Sequence, residues 1–273
     1  MYLGSLRLAL KRFLPKPLKH RLHALYRLWL LWGDPFLPLG RLLTAVPRYV
    51  RFLSSWSRYA HMRGAEPLRF GDGYPCLFDA VTTTPFSGHY FHQAVWAMER
   101  ISHSRVESHV DVGSEAAFVG MLTTHLPVTF LDIRPLRAEL PGLTCLAGSI
   151  LSMPFRDGSI SSLSCLHVLE HIGLGRYGDP LDPQGTRLAC AELARVLAPG
   201  GNLFVSLPVG RPRVCFNAHR VHRIAQVIQY FPGLNLVEFS AVNDRGQLLL
   251  DVPMEEVETA DYACGLFWFR RTG

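Results

Sequence analysis

From Ser108 onward, short apolar runs alternate with stretches of helical spacing. "SHVDVG" ends a strand at a glycine, and "EAAFVGMLTTHL" is helical in composition. "VTFLDI" is a strand that closes on an acid. "LTCLAGS" is a third strand, and "SISSLSCL" a fourth, weakened by its serines. "TRLACAELARVLAPGG" reads as an amphipathic helix stopped by Pro-Gly-Gly, and "NLFVSLP" as the fifth strand. "NAHRVHRIAQVIQYFPG" reads as a helix, followed by strands at "LNLVEFSAV" and "ACGLFWFRR". Strands alternating with helices predict a parallel sheet covered on both faces. The two closing strands, with no helix between them, predict an antiparallel edge pairing.

Upstream the pattern differs. Prolines 15, 17, 35, 38 and 47 break residues 1–64 into two or three predicted short helices. Residues 65–85, with Gly71, Gly73, Pro75 and Pro85, read as a linker. "FSGHYFHQAVWAMERI" (Phe86–Ile101) reads as an amphipathic lead-in helix. The expected organisation is therefore a helical N-terminal extension over 1–64, a linker and lead-in helix over 65–107, and an α/β body over 108–273.

Charge sharpens this division. Residues 1–63 hold 12 Lys+Arg and one acid, Asp34, out of totals of 28 and 22, so the body is mildly acidic. A basic arm on an acidic body suggests an anionic partner for the arm. "ALYRLWLLW" is too short to span a bilayer and suits a membrane interface, or else packing on the body. All three lysines (Lys11, Lys16, Lys19) lie in the arm, which excludes a catalytic lysine in the body. The six cysteines form no C-x-x-C pair and read as free thiols of a reducing, cytoplasmic compartment. "MYLGSLRLALKRFLPKP" lacks the long apolar stretch of a secretory signal.

The order of elements places a ligand beyond the carboxyl ends of the strands. Gly113 can make the tight turn after the first strand, and the next helix offers free N–H groups to an anion. Asp132 ends the second strand, where a carboxylate can accept from both hydroxyls of a ribose. Ser149 and Ile150, after the third strand, can edge an adenine. Together these features describe an adenosine-containing ligand.

"VDVGS", "FLDI", "SMPFRDGSI", "CLHVLEHI" and "ELARVLAPGGNLFVSLP" follow one another in the order and spacing of a known family. Residues 108–207 resemble class I S-adenosylmethionine-dependent methyltransferases. "HYFHQ" and "EHIGLGRYGDPLDPQG" are similar to a methyltransferase-like family, the domain of unknown function 268, whose expected setting is surface-polysaccharide synthesis. The resemblance implies a Rossmann-like, doubly wound, mainly parallel seven-stranded sheet with an antiparallel last strand. It implies S-adenosyl-L-methionine as cofactor, with Asp111, Gly113, Ser114, Asp132, Ser149, Ile150, Cys165, Leu166 and His92 around it. Methyl transfer to a hydroxyl of a sugar, glycan precursor or other small molecule is the implied reaction.

Two departures stand out. The family's Gly-x-Gly-x-Gly loop is here Gly113-Ser114-Glu115-Ala116-Ala117, and the acid early in the fourth strand is Ser161. They keep open an alternative, a catalytically inactive methyltransferase-like binding protein. The Asn/Asp-Pro-Pro-aromatic tetrapeptide of amino-group methylation is missing after the fourth strand, which argues against nucleic acid as substrate.

His167-x-x-Glu170-His171 also fits an inverted zinc-protease pattern. That pattern needs a helix, whereas the preceding residues read as a strand, so no metal is expected here. His167 is the expected general base and Asp179 its orienting carboxylate. Arg176, Tyr177 and His219 are expected at the acceptor, and His171 as a structural residue.

Overall fold

The structure, a computed structural model, describes Leu25, residues 29–33 and residues 38–273. Expectations for residues 1–24, and for Tyr26–Leu28 of "ALYRLWLLW", lie outside the described residues. The chain divides into two compact units after Pro85. The lead-in helix thus belongs with the unit that holds the sheet.

In the first unit, α1 (Leu39–Ala60) is one helix of 22 residues with Pro47 inside it, where the sequence predicted a break. A proline removes one backbone bond and crowds the carbonyl four residues earlier, but the turns on either side persist here. Leu42, Leu43, Val46, Val50 and Leu53 recur at helical spacing and are all exposed. Arg41, Arg48, Arg51 and Arg58 share the helix, which contains no acid.

The second unit begins with α2 (Gly88–His103), β1 (His109–Val112), α3 (Ala116–Leu122), β2 (Val128–Asp132), β3 (Leu143–Ala147) and β4 (Ile160–Leu166). It continues with α4 (Gly185–Val196), β5 (Leu197–Val209), a hairpin of β6 (Arg213–Cys215) and β7 (His219–Val221), and α5 (Ile224–Gln229). It ends with β8 (Leu234–Val242), β9 (Leu248–Leu249), α6 (Glu255–Glu258) and β10 (Ala263–Arg271).

Eight strands form one sheet in the order β3-β2-β1-β4-β5-β10-β8-β9. Strands β1 to β5 pair in parallel. β10 runs antiparallel to both its neighbours, β5 and β8. The mainly parallel Rossmann-like sheet is as expected, and so is the antiparallel pairing of the two closing strands, β8 and β10. One correction concerns the strand count, since the two-residue β9 adds an eighth strand at the edge. β10 lies between β5 and β8 and is buried along most of its length.

Alternation along the strands separates two apolar layers. Leu163, Cys165, Leu203, Val205, Phe267 and Phe269 face α4 and α5. Leu166, Phe204, Cys264 and Leu266 face Trp96, Ala97 and Ile101 of α2 and Phe118 and Leu122 of α3. The segment read as one long helix after Cys215 is a correction too, since only Ile224–Gln229 is helical. Tertiary bonds override its helical spacing. Arg220 reaches the carbonyl of Ile172 at 2.6 Å and that of Asp182 at 3.3 Å, and His219–Val221 pairs with β6.

All six cysteines are free. Cys165, Cys190 and Cys264 are buried, whereas Cys76 is exposed. Among the described residues no helix is long and apolar enough to cross a membrane.

Candidate functional site

The strand order reverses between β1 and β4, and a cleft opens there at the carboxyl ends of the strands. It offers about 700 Å³, part of it open to solvent. Gly113, Asp132, Ser149, Ile150, His167, Tyr177 and Asp179 all line it, and so do His171, Val168 and Arg134.

Gly113 has φ +68°, and a Cβ there would lie 3.2 Å from the Val168 side chain and 3.7 Å from Asp132 Oδ2. A glycine is therefore required for both backbone angle and space. Asp132 Oδ1 accepts from the backbone N–H of Arg134 at 2.6 Å. The Arg134 guanidinium lies 4.2 Å from the Tyr177 ring centre, so the β2 loop and the β4–α4 loop meet across the mouth. Glu115, whose charge would oppose an anionic ligand group, is exposed and does not line the cleft.

Several expected residues sit beneath the cleft rather than in it. Asp111 is fully buried, and its carboxylate accepts from Ser114 N at 3.0 Å, Ser114 Oγ at 2.7 Å and Ser164 Oγ. Ser114 Oγ in turn accepts from Leu166 N at 3.0 Å. Burial pushes the Asp111 carboxyl up to about 6 against these bonds. His109 lies between Ser162 Oγ at 2.7 Å and Ser164 Oγ at 2.8 Å, and burial holds it neutral with a pKa of about 3. Asp111 and Ser114 therefore brace the turn at Gly113 by tying β1 to β4. Cys165 and Leu166 point into the two apolar layers. The end of β4 reaches the cleft through His167 and Val168 instead.

His92 packs its ring against Phe86 and Phe91, away from the cleft. His219 packs against Tyr262 at 5.0 Å and does not line the cleft either. Arg176 is exposed and donates to the carbonyl of Ala218 at 3.0 Å. Asp179 accepts from the N–H groups of Gly173 at 2.7 Å, Gly175 at 3.4 Å and Tyr177 at 3.3 Å. It shapes the loop and does not orient His167.

The carboxylate on His167 is that of Glu170, with Nδ1 to Oε1 at 2.6 Å. The residue has φ +55°, and its N–H donates to the carbonyl of Ser206 at 2.8 Å. Its ring stacks on those of His89 at 5.5 Å and Tyr90 at 5.1 Å. Burial pushes the imidazole down, but its neighbours Cys264 and Glu170 outweigh this and hold it well above its usual value.

His171 was expected to be structural, yet it lines the cleft. Its Nδ1 lies 2.6 Å from the carbonyl of Ala218, which can only accept, so Nδ1 carries the proton. Nε2 is left with its lone pair, and burial keeps the ring neutral by lowering its pKa. Sequence reasoning placed His89 at the cofactor pocket with His92, whereas it stacks on His167 and Tyr262, and it missed Glu170, Arg134 and Cys264. Only Glu170 carried a local signal, the i,i+3 spacing from His167.

Comparison with known proteins bears on the fold. Residues 158–260 match a family model described as Caenorhabditis protein of unknown function, DUF268. No curated protein matches the chain in sequence. Among solved structures, a putative sarcosine dimethylglycine methyltransferase from Galdieria sulphuraria is similar, with a TM-score of 0.50 and 14% identity over 67% of this chain and 86% of that one. The N-methyltransferase NodS from Bradyrhizobium japonicum WM9, solved with S-adenosyl-L-homocysteine, aligns with a TM-score of 0.48 and 18% identity over 81% of this chain and 99% of that one. The sheet-bearing unit thus has the class I methyltransferase fold, and the DUF268 match lies within it.

Proposed function

We propose that the cleft binds S-adenosyl-L-methionine and that the protein transfers its methyl group to an acceptor hydroxyl, on a sugar, a glycan precursor or another small molecule. The observation that carries the reading is Asp132, a carboxylate at the end of β2 facing a cleft beside the side-chain-free turn at Gly113. Ser149 and Ile150 lie where an adenine edge would rest. When bound, the cofactor supplies an activated methyl group. The chain's own task is to align the acceptor and keep water out. Tyr177 and Arg134 stand at the mouth for this, and His171 Nε2 is the lone pair in the cleft suited to take the acceptor's proton.

Calorimetry with S-adenosyl-L-methionine and S-adenosyl-L-homocysteine tests the reading. Asp132→Ala is expected to weaken binding by about 1–3 kcal/mol, the range for hydrogen bonds to a charged group. Equal affinity in the variant would remove Asp132 from the site. No binding of either compound to the native protein would favour an inactive, partner-binding role.

The exposed apolar stripe and the arginines of α1 favour a further reading, that the N-terminal unit lies on an anionic membrane surface. Full-length protein should pellet with anionic vesicles at low salt, and a chain starting at Phe86 should not. Equal pelleting of the two would count against it.

A further inference from the structure

Beside the cleft, three potential ligands from distant parts of the chain come together. They are His89 in the first turn of α2, His167 at the end of β4, and Cys264 at the start of β10. One donor atom from each lies within 4.8 Å of the others. His167 and Cys264 are buried and His89 is half-buried. We propose that these three side chains bind a zinc ion.

The donor set favours zinc. Imidazole nitrogen and thiolate sulfur suit a borderline-soft ion, while calcium and magnesium take oxygen. Around tetrahedral zinc, such donors sit roughly 3.3–3.8 Å apart, so the side chains need to close by at most about 1–1.5 Å. Two histidines, one cysteine and one open position make a familiar coordination count.

The surroundings supply the second observation. His167 Nε2 and Glu170 Oε2 are buried and have no hydrogen-bond partner, and a buried polar atom without one calls for an unseen water or ion. Glu170 Oε1 holds His167 Nδ1 at 2.6 Å, which leaves Nε2 as the donor atom. A carboxylate behind a ligating histidine is the usual way such rings are oriented and made more basic. His89 is fixed by its stacking between His167 and Tyr262, at 5.5 and 5.2 Å. One divalent ion, one thiolate and the Glu170 carboxylate sum to zero charge, as a buried site requires. His171 takes no part, so this is not the zinc-protease pattern of the sequence. The site shares only His167 with the cleft, and zinc binding is read without the methyl donor.

The test uses the full-length protein, stripped with chelator and given zinc or cobalt alone. Close to one zinc per chain should survive gel filtration, and the cobalt form should show the near-ultraviolet band of thiolate ligation. Cys264→Ser should abolish that band, while Cys215→Ser keeps it. His89→Gln, at a half-buried position, should weaken zinc on the order of 100-fold, and Glu170→Gln about 10–100-fold. No retained zinc in the native protein, or a cobalt band indifferent to both Cys264→Ser and His89→Gln, would overturn the proposal.

Discussion

Gly173→Ala is expected to destabilise the sheet-bearing unit by about 2–5 kcal/mol. Gly173 has φ +82°, and a left-handed backbone costs an alanine roughly 1–2 kcal/mol. A Cβ there would lie 2.0 Å from the carbonyl oxygen of Asp182, and forced overpacking adds about 1–3 kcal/mol. The loop cannot step aside. Asp182 N donates to the carbonyl of Gly173 at 3.0 Å, and Gly173 N donates to Asp179 at 2.7 Å. Gly178 is the internal control, with φ +88° and nothing within 4 Å of its would-be Cβ, so Gly178→Ala should show the backbone part alone. Urea denaturation of both variants separates the two contributions. A Gly173→Ala midpoint equal to that of Gly178→Ala would show that the loop yields. The same loop carries Tyr177 and Asp179 to the cleft, so Gly173→Ala should also weaken ligand binding.

Removing Arg100 should cost about 3–5 kcal/mol at neutral pH, the usual result of leaving one partner of a buried ion pair alone. Arg100 of α2 grips Glu238 of β8 with Nε to Oε2 at 3.1 Å and Nη2 to Oε1 at 2.9 Å, and both side chains are largely buried. Trp96 and Ser240 add bonds to Oε1 at 2.9 and 2.6 Å. Burial pushes the Glu238 carboxyl up, but these donors outweigh it and hold its pKa below the usual value. A carboxyl lowered on folding contributes stability above its unfolded pKa and loses it as pH falls through the folded one. The penalty of Arg100→Ala should therefore be full at neutral pH and shrink in acid, below the ordinary carboxylate range. Adding Glu238→Gln, which keeps an acceptor for Trp96 and Ser240, should recover much of the loss. A penalty that does not change between pH 7 and pH 3 would show that lost packing, not the unpaired charge, dominates.

The strands with a buried apolar run and an acid or glycine at the end were legible because both signals are local. Asp132 and Gly113 announce the cleft side of the sheet from a few neighbouring residues. What failed was set by distance. Whether Asp111 reaches a ligand or a serine depends on Ser164, on another strand. Which face Cys165 takes is decided by the sheet's pleat, which sends it into the apolar core two residues before His167. Pro47 and the hairpin at His219 defeat local rules because helical bonds in one case and Arg220 in the other outweigh them. The meeting of His89, His167 and Cys264 leaves no periodic trace at all.

The place of β10 bears on how the chain reaches this state as it is made. Its partners on β5 run from Val209, opposite Ala263, to Asn202, opposite Arg270. These contacts span about 55–70 residues, and pairings so remote form late because the intervening loop must close first. The strand that joins β5 to β8 is also the last of the sheet to leave the ribosome. Until it arrives, two apolar strand edges stand open where the finished protein has a largely buried strand. A nascent chain stalled before Ala263 is then the form most in need of a chaperone, since open edges of that kind pair with one another.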